Sequence, residues 1–173
     1  MNMKSKDIAL IITWIALIIA SFFYDKEILY FIQSLKNPLF DFIFLGLHYL
    51  ASWVSVFLLF SLYFIVKDRK KLKKFVVSYL ITMFLVLLLK NFVGRERPNG
   101  LDMKSFPSGH SAAVFSALNF VSEKYVRYWV FISVLVMISR VYLGDHYMSD
   151  ALAGAFIGYF FTRITASLLS KKL

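Results

Sequence analysis

The chain has 173 residues, 60% of them hydrophobic, a mean hydropathy of +0.69 and a formal net charge of +10. A soluble domain of this length would be far more polar. The positive charge falls in short stretches between apolar runs, with no Arg-rich tail and no RNA-binding motif, which argues against nucleic acid as a partner. The absence of cysteine rules out disulfides and thiolate metal sites.

The apolar runs each approach the roughly 20 residues that cross a bilayer as a helix. They predict an all-α, polytopic membrane protein: a six-transmembrane-helix bundle forming one domain over residues 1–173. The first span covers residues 7–23. Lys4 and Lys6 precede it as they would a secretory signal, but the apolar stretch is long for one and no small-x-small cleavage site follows, so an uncleaved helix is expected. In residues 25–47, Ile28, Leu29, Phe31, Ile32 and Leu35 recur at helical spacing, opposite Asp25, Lys26, Glu27, Gln33 and Lys36. This reads as a short interfacial helix between the first two spans, or equally as a connector packed on the bundle. Asn37-Pro38 breaks it, because the residue before proline avoids the helical region. The remaining spans cover residues 49–66, 75–93, 110–123, 127–142 and 149–169. His48, at the start of the second span and without a carboxylate nearby in sequence, reads as structural.

Residues 67–74 carry six positive charges in eight positions, which marks a cytoplasmic loop. Lys4, Lys6, Lys124, Arg127, Lys171 and Lys172 fall on the same side, so both termini are expected inside. Three polar islands then emerge together on the opposite, extracytoplasmic face: Lys90 to Pro98, Pro107 to His110, and Ser139 to Asp150. Strong cations beside hydrophobic spans are costly and mark function.

The islands contain what phosphate chemistry needs. His146 and Asp150, four residues apart, share one helical face if the sixth span begins here. A carboxylate on one ring nitrogen fixes the tautomer and frees the other nitrogen to attack. Ser108-Gly109-His110 opens the fourth span, where unpaired backbone N–H groups favour an anion. Ser108 adds a hydroxyl donor or caps the helix, Gly109 allows close backbone approach, and His110 is placed to protonate a leaving oxygen. Lys90, Arg97 and Arg140 supply charge for the equatorial oxygens, with arginine's fork matching two at once. Arg95, Glu96 and Lys104 read mainly as loop solvation, with a headgroup or second phosphate as the other option. No histidine or acidic cluster suits zinc or magnesium, so a metal-independent reaction without cofactor is expected.

Lys90-x6-Arg97-Pro98, Pro107-Ser108-Gly109-His110 and Ser139-Arg140-x5-His146-x3-Asp150 together resemble the three-part signature of the type 2 phosphatidic acid phosphatase superfamily. That superfamily includes membrane lipid phosphatases and soluble vanadium haloperoxidases, and the spans argue against the second branch. All three parts are complete and in order, and the six-span core covers nearly the whole chain. The resemblance implies His146 as the nucleophile of a phosphohistidine intermediate, Asp150 as its orienting partner and His110 as the acid. It implies Lys90, Arg97, Ser108, Gly109 and Arg140 as the phosphate cradle. The family's bacterial members act on undecaprenyl pyrophosphate, phosphatidylglycerol phosphate, phosphatidic acid or the 1-phosphate of lipid A. The chain's size and its abundance of Lys, Ile and Phe resemble those prokaryotic members. A membrane lipid phosphate in the bilayer is the expected partner, with no obligatory protein partner evident. The expected site is the periplasmic or external face of a prokaryotic plasma membrane. Two other readings remain: a lipid phosphotransferase using the same site, and a non-enzymatic lipid-binding or transport protein.

Overall fold

The computed structural model describes residues 5–170, apart from the side chain of Lys6; Lys4, Lys171 and Lys172, invoked above for orientation, lie outside it. Every described element is helical: α1 (Ser5–Ser34), α2 (Pro38–Leu50), α3 (Trp53–Lys67), α4 (Arg69–Val93), α5 (Gly109–Ala117), α6 (Glu123–Tyr142), α7 (Met148–Phe156) and α8 (Thr162–Ser170). A π-turn over Ile157–Phe161 joins α7 to α8, and a 3-10 turn over Leu118–Phe120 closes α5.

The breaks have local causes. Asn37 caps α2, its side chain accepting from the Phe40 N–H at 3.0 Å, with Pro38 in the first turn. Ser52 caps α3 in the same way. Asp68 ends α3 and caps α4, accepting from the backbone of Lys70 and Lys71. Gly94, at φ 57°, ends α4 in the left-handed conformation that glycine adopts without penalty.

Three boundaries differ from the sequence reading. The expected loop over residues 67–74 shrinks to Asp68, because a good N-cap lets α4 begin at Arg69 instead of residue 75. The first span does not stop at residue 23; α1 runs to Ser34, since nothing before Asn37-Pro38 breaks a helix. The helical stripe assigned to residues 25–36 is also partly inverted. Leu29 and Asp25 are buried, whereas Tyr30 and Phe31 are exposed.

Among the described residues, four segments are long and apolar enough to cross a membrane: α1, α4, α6 and the combined α7–α8. The pair α2 and α3, bent by 59°, makes a fifth if taken as one span. The expected fourth span, residues 110–123, is instead a nine-residue helix plus a single turn. Each residue of α5 from Ser111 to Ala117 is buried, as suits a helix with no polar face. Its small residues let α7 approach closely. A Cβ on Gly154 would strike the Ser108 carbonyl oxygen, and one on Gly158 the Ala112 carbonyl oxygen. At the other end of the bundle Phe57, Phe60, Phe64, Phe75, Tyr79 and Phe120 form an aromatic cluster.

Candidate active site

The three islands meet at one end of the bundle and are stitched together by backbone hydrogen bonds. The Ser108 N–H donates to the Asp150 carbonyl at 2.9 Å, tying the start of α5 to the start of α7. The Asn99 N–H donates to Gly144, and the Ser105 N–H to Arg95. The N–H groups of Asp145 and His146 both donate to the Arg140 carbonyl, folding the loop after α6 back onto its last turn.

A cavity of about 300 Å³ lies where they meet. Lys90, Arg97, Gly109, His110 and His146 line it, as sequence led one to expect. Trp53, Met83, Val86 and Leu87 form an apolar wall beside them. The His146 ring is buried, its Nδ1 4.0 Å from Asp150 Oδ2 and without a hydrogen-bond partner among the described residues. That pair is one short movement from bonding; such contacts are often long before substrate arrives. Burial first, then the charges of Lys90, Arg97 and Arg140, hold His146 well below the ordinary imidazole range. It therefore stands neutral, with an unprotonated nitrogen available for attack.

Asp150 is itself fixed on both oxygens. Oδ2 accepts from Ser105 Oγ at 2.5 Å and from the Tyr147 N–H at 2.9 Å; Oδ1 accepts from Arg95 Nη1 at 2.7 Å. His110 Nε2 lies 3.1 Å from the His48 carbonyl oxygen. A carbonyl can only accept, so this nitrogen carries the proton. Ser108 Oγ caps α5, accepting from the Ser111 N–H at 3.4 Å. Lys90 Nζ donates to the Lys104 carbonyl at 2.6 Å, and Arg97 Nε to Asp102 at 2.7 Å.

Arg140 is placed differently from the sequence expectation. Its guanidinium is wholly buried behind the cavity rather than on its wall. Nη1 donates to His48 Nδ1 at 2.7 Å and Nη2 to Asp145 Oδ2 at 2.8 Å, while Nε has no partner among the described residues. Neither partner is evident from the sequence. His48, read as structural, lines the cavity, its ring 4.9 Å from that of His110. No local signal could have placed it there, because α2 reaches the site only through its packing on α6. Asp145 lies next to His146 in sequence, and that adjacency was a usable signal.

Arg95 is the second correction. It does not solvate the loop. Its guanidinium bridges Asp25 and Asp150, with Nη2 2.7 Å from Asp25 Oδ2, and lies over the rings of Phe22 and Tyr147. Asp25 also accepts from the N–H and hydroxyl of Ser149. Thus α1 grips the first turn of α7, directly beside the His146–Asp150 pair. Among the described residues no group of three or more His, Asp or Glu side chains could hold a metal ion.

This geometry can be set beside known proteins. A lipid A 1-phosphatase of Rhizobium johnstonii is 27% identical over 70% of this chain and 50% of its own length. The chain spans about half the length of the curated relatives it matches. The crystal structure of Aquifex aeolicus LpxE superposes with a TM-score of 0.75 at 25% identity, over 83% of this chain and 94% of that one. A transmembrane PAP2-type phosphatidylglycerolphosphate phosphatase from Bacillus subtilis gives 0.77 at 21% identity, over 96% of both chains, a likeness of fold. The family model of the PAP2 superfamily matches residues 71–173, more than half the chain and all three islands, and the chain belongs to that superfamily.

Proposed function

We propose that the protein is an integral-membrane lipid phosphatase acting on a phosphate monoester or pyrophosphate of a membrane lipid. The carrying observation is the shared cavity: three histidines, His48, His110 and His146, and two cations face a common space with an apolar wall. Lys90 and Arg97 bind the phosphate, with the N-terminus of α5 at Ser108 and Gly109. Arg140 lends its charge from behind His48 and Asp145. His146 Nε2 attacks phosphorus, and the bond to the lipid oxygen breaks. A phosphate dianion beside His110 favours its imidazolium form, which gives its proton to the leaving oxygen. Asp150 balances the charge gained by the His146 ring. Water then attacks the phosphohistidine, His110 takes its proton, and phosphate leaves. No step calls for a metal ion.

The orientation rests on charge. The positive charge of residues 67–74 and Arg163 supports an orientation with the end remote from the cavity in the cytoplasm and the cavity on the periplasmic or external face. Counting α5 as a buried short span and α2–α3 as one bent span gives six, with both termini inside. In this arrangement α2, before the 59° bend, lies toward the interface. The relatives support lipid A 1-phosphate and phosphatidylglycerol phosphate as substrates to compare, and the resemblance to the superfamily adds undecaprenyl pyrophosphate and phosphatidic acid.

Phosphate release by the purified protein in detergent tests this on those four lipids and a soluble ester, with His146→Ala as control and with chelator. Turnover of one lipid, insensitive to chelation and reduced by about 10⁴-fold or more in the variant, is the expected result. Loss of the substrate's phosphate only when a lipid acceptor is added, with the phosphoryl group found on that acceptor and no inorganic phosphate released, turns the assignment to a phosphotransferase. A strict magnesium requirement removes the metal-free mechanism.

A further inference from the structure

The long helices carry charge to two ends. On α4, Lys71 and Lys90 are separated by ~28 Å at 1.5 Å per residue. Ser122 precedes α6 whereas Arg140 ends it, and Arg163 lies in α8 whereas Asp150 lies in α7. Lys71, Ser122 and Arg163 thus share the end remote from the histidines.

Two cavities adjoin there. The first, of about 440 Å³, is polar and has Lys71, Lys74, Arg163, Ser122 and Ser167 on its walls. The second, of about 300 Å³, is apolar and aromatic, with Phe60, Tyr63, Phe64, Tyr125 and Trp129. They share Lys71, Phe120, Val121 and Ser122, so one runs into the other. No carboxylate pairs with Lys71 or Lys74 among the described residues, and Asp68 beside them spends its oxygen on backbone N–H groups. Arg163 meets Asp7 at 3.2 Å through Nη1.

We propose that this double cavity binds an anionic glycerophospholipid, its phosphate against Lys71, Lys74 and Arg163 and one acyl chain along the aromatic groove. A soluble anion would use only the first cavity and leave the groove unexplained. Cations needed only for orientation require no cavity at all. An amphiphile fills both, and aromatic side chains at the headgroup level suit such a ligand. The lipid is held, not hydrolysed, because neither catalytic histidine lies within reach. The inference stands whether or not the catalytic reading holds.

Native mass spectrometry of the full chain in detergent tests it, using phosphatidylglycerol and phosphatidylcholine at equal concentration. One phosphatidylglycerol per chain should be retained at least fivefold more than phosphatidylcholine, and Lys71→Gln/Lys74→Gln should remove that preference. Thermal unfolding of the same variant, unchanged from the unmodified protein, establishes that it is folded, and phosphate release should be unchanged as well. Equal retention of the two lipids, or a preference untouched by the substitutions, overturns the proposal. So does inorganic phosphate that displaces the phosphatidylglycerol at millimolar concentration, since the groove then contributes nothing.

Discussion

Both ends of the bundle are cationic, and they treat that charge in opposite ways. At the cavity end every guanidinium is engaged: Arg95 by Asp25 and Asp150, Arg97 by Asp102, Arg140 by Asp145 and His48. At the remote end Lys70, Lys71 and Lys73 stand exposed on α4. A cation fixed by a carboxylate can stabilise developing charge without reorganising. A loose lysine can only attract. Substitutions at the first end should therefore disturb both folding and turnover, and those at the second should leave turnover alone.

Among substitutions that break the ion pairs of the cavity end, the largest effect is expected from Arg95→Gln. The change leaves Asp25 and Asp150 facing each other across a buried gap without their shared cation. Removing one partner of a buried ionic group costs about 3–5 kcal/mol. Thermal unfolding should drop accordingly, and phosphate release should fall by about 100-fold through the displaced Asp150. A variant as stable and active as the unmodified chain would mean the Asp25–Arg95–Asp150 bridge does not hold the site.

This bridge marks the limit of what the sequence makes legible. Short-range features are readable: His146 and Asp150, four residues apart, approach to 4.0 Å although His146 sits in the loop two residues before α7, and Ser108 caps α5, because both depend on neighbours along the chain. The helical class and most of the apolar runs follow from composition. What is hidden depends on packing. Asp25, on the apparent polar face of α1, is buried because Arg95 and Ser149 come to it from elsewhere in the chain. His48 carries no local mark and reaches Arg140 only because α2 packs on α6. The start of α4 was missed for another reason: a run of lysines reads as a loop, yet lysine is a good helix former once Asp68 supplies a cap.

A smaller effect is expected from His48→Gln. Arg140 Nη1 loses its fixed acceptor, and Nε already lacks one among the described residues. One hydrogen bond to a charged group is worth about 1.5–3 kcal/mol, so kcat/KM should fall by roughly 10- to 150-fold, with the low end expected if another acceptor replaces the ring nitrogen. A loss confined to stability, with kcat/KM intact, would make His48 a packing residue.

His146 gives a spectroscopic reading of the same end. Its pKa is depressed in the folded state, so the folded chain refuses a proton that the unfolded chain accepts near pH 6.5. Stability from this group is full above pH 6.5 and is lost as pH falls below it. Nitrogen chemical shifts of labelled histidine should show His146 neutral at pH 6, where a free imidazole is mostly protonated. Titration of His146 near 6.5 would mean the surrounding cations do not act on it.

The smallest effect belongs to the remote end. Lys70 and Lys73 are exposed on the first turns of α4 and line neither cavity there. Changing both to glutamine removes two charges, yet neither makes an ion pair among the described residues. Exposed substitutions of this kind usually stay within about 0.5 kcal/mol. Turnover in detergent should remain within twofold, because salt screens exposed charges beyond about 10 Å and the catalytic end lies well past that distance. A tenfold change would show that the two ends are coupled through α4, and the separation drawn between fixed guanidinium groups at one end and loose lysines at the other would fail.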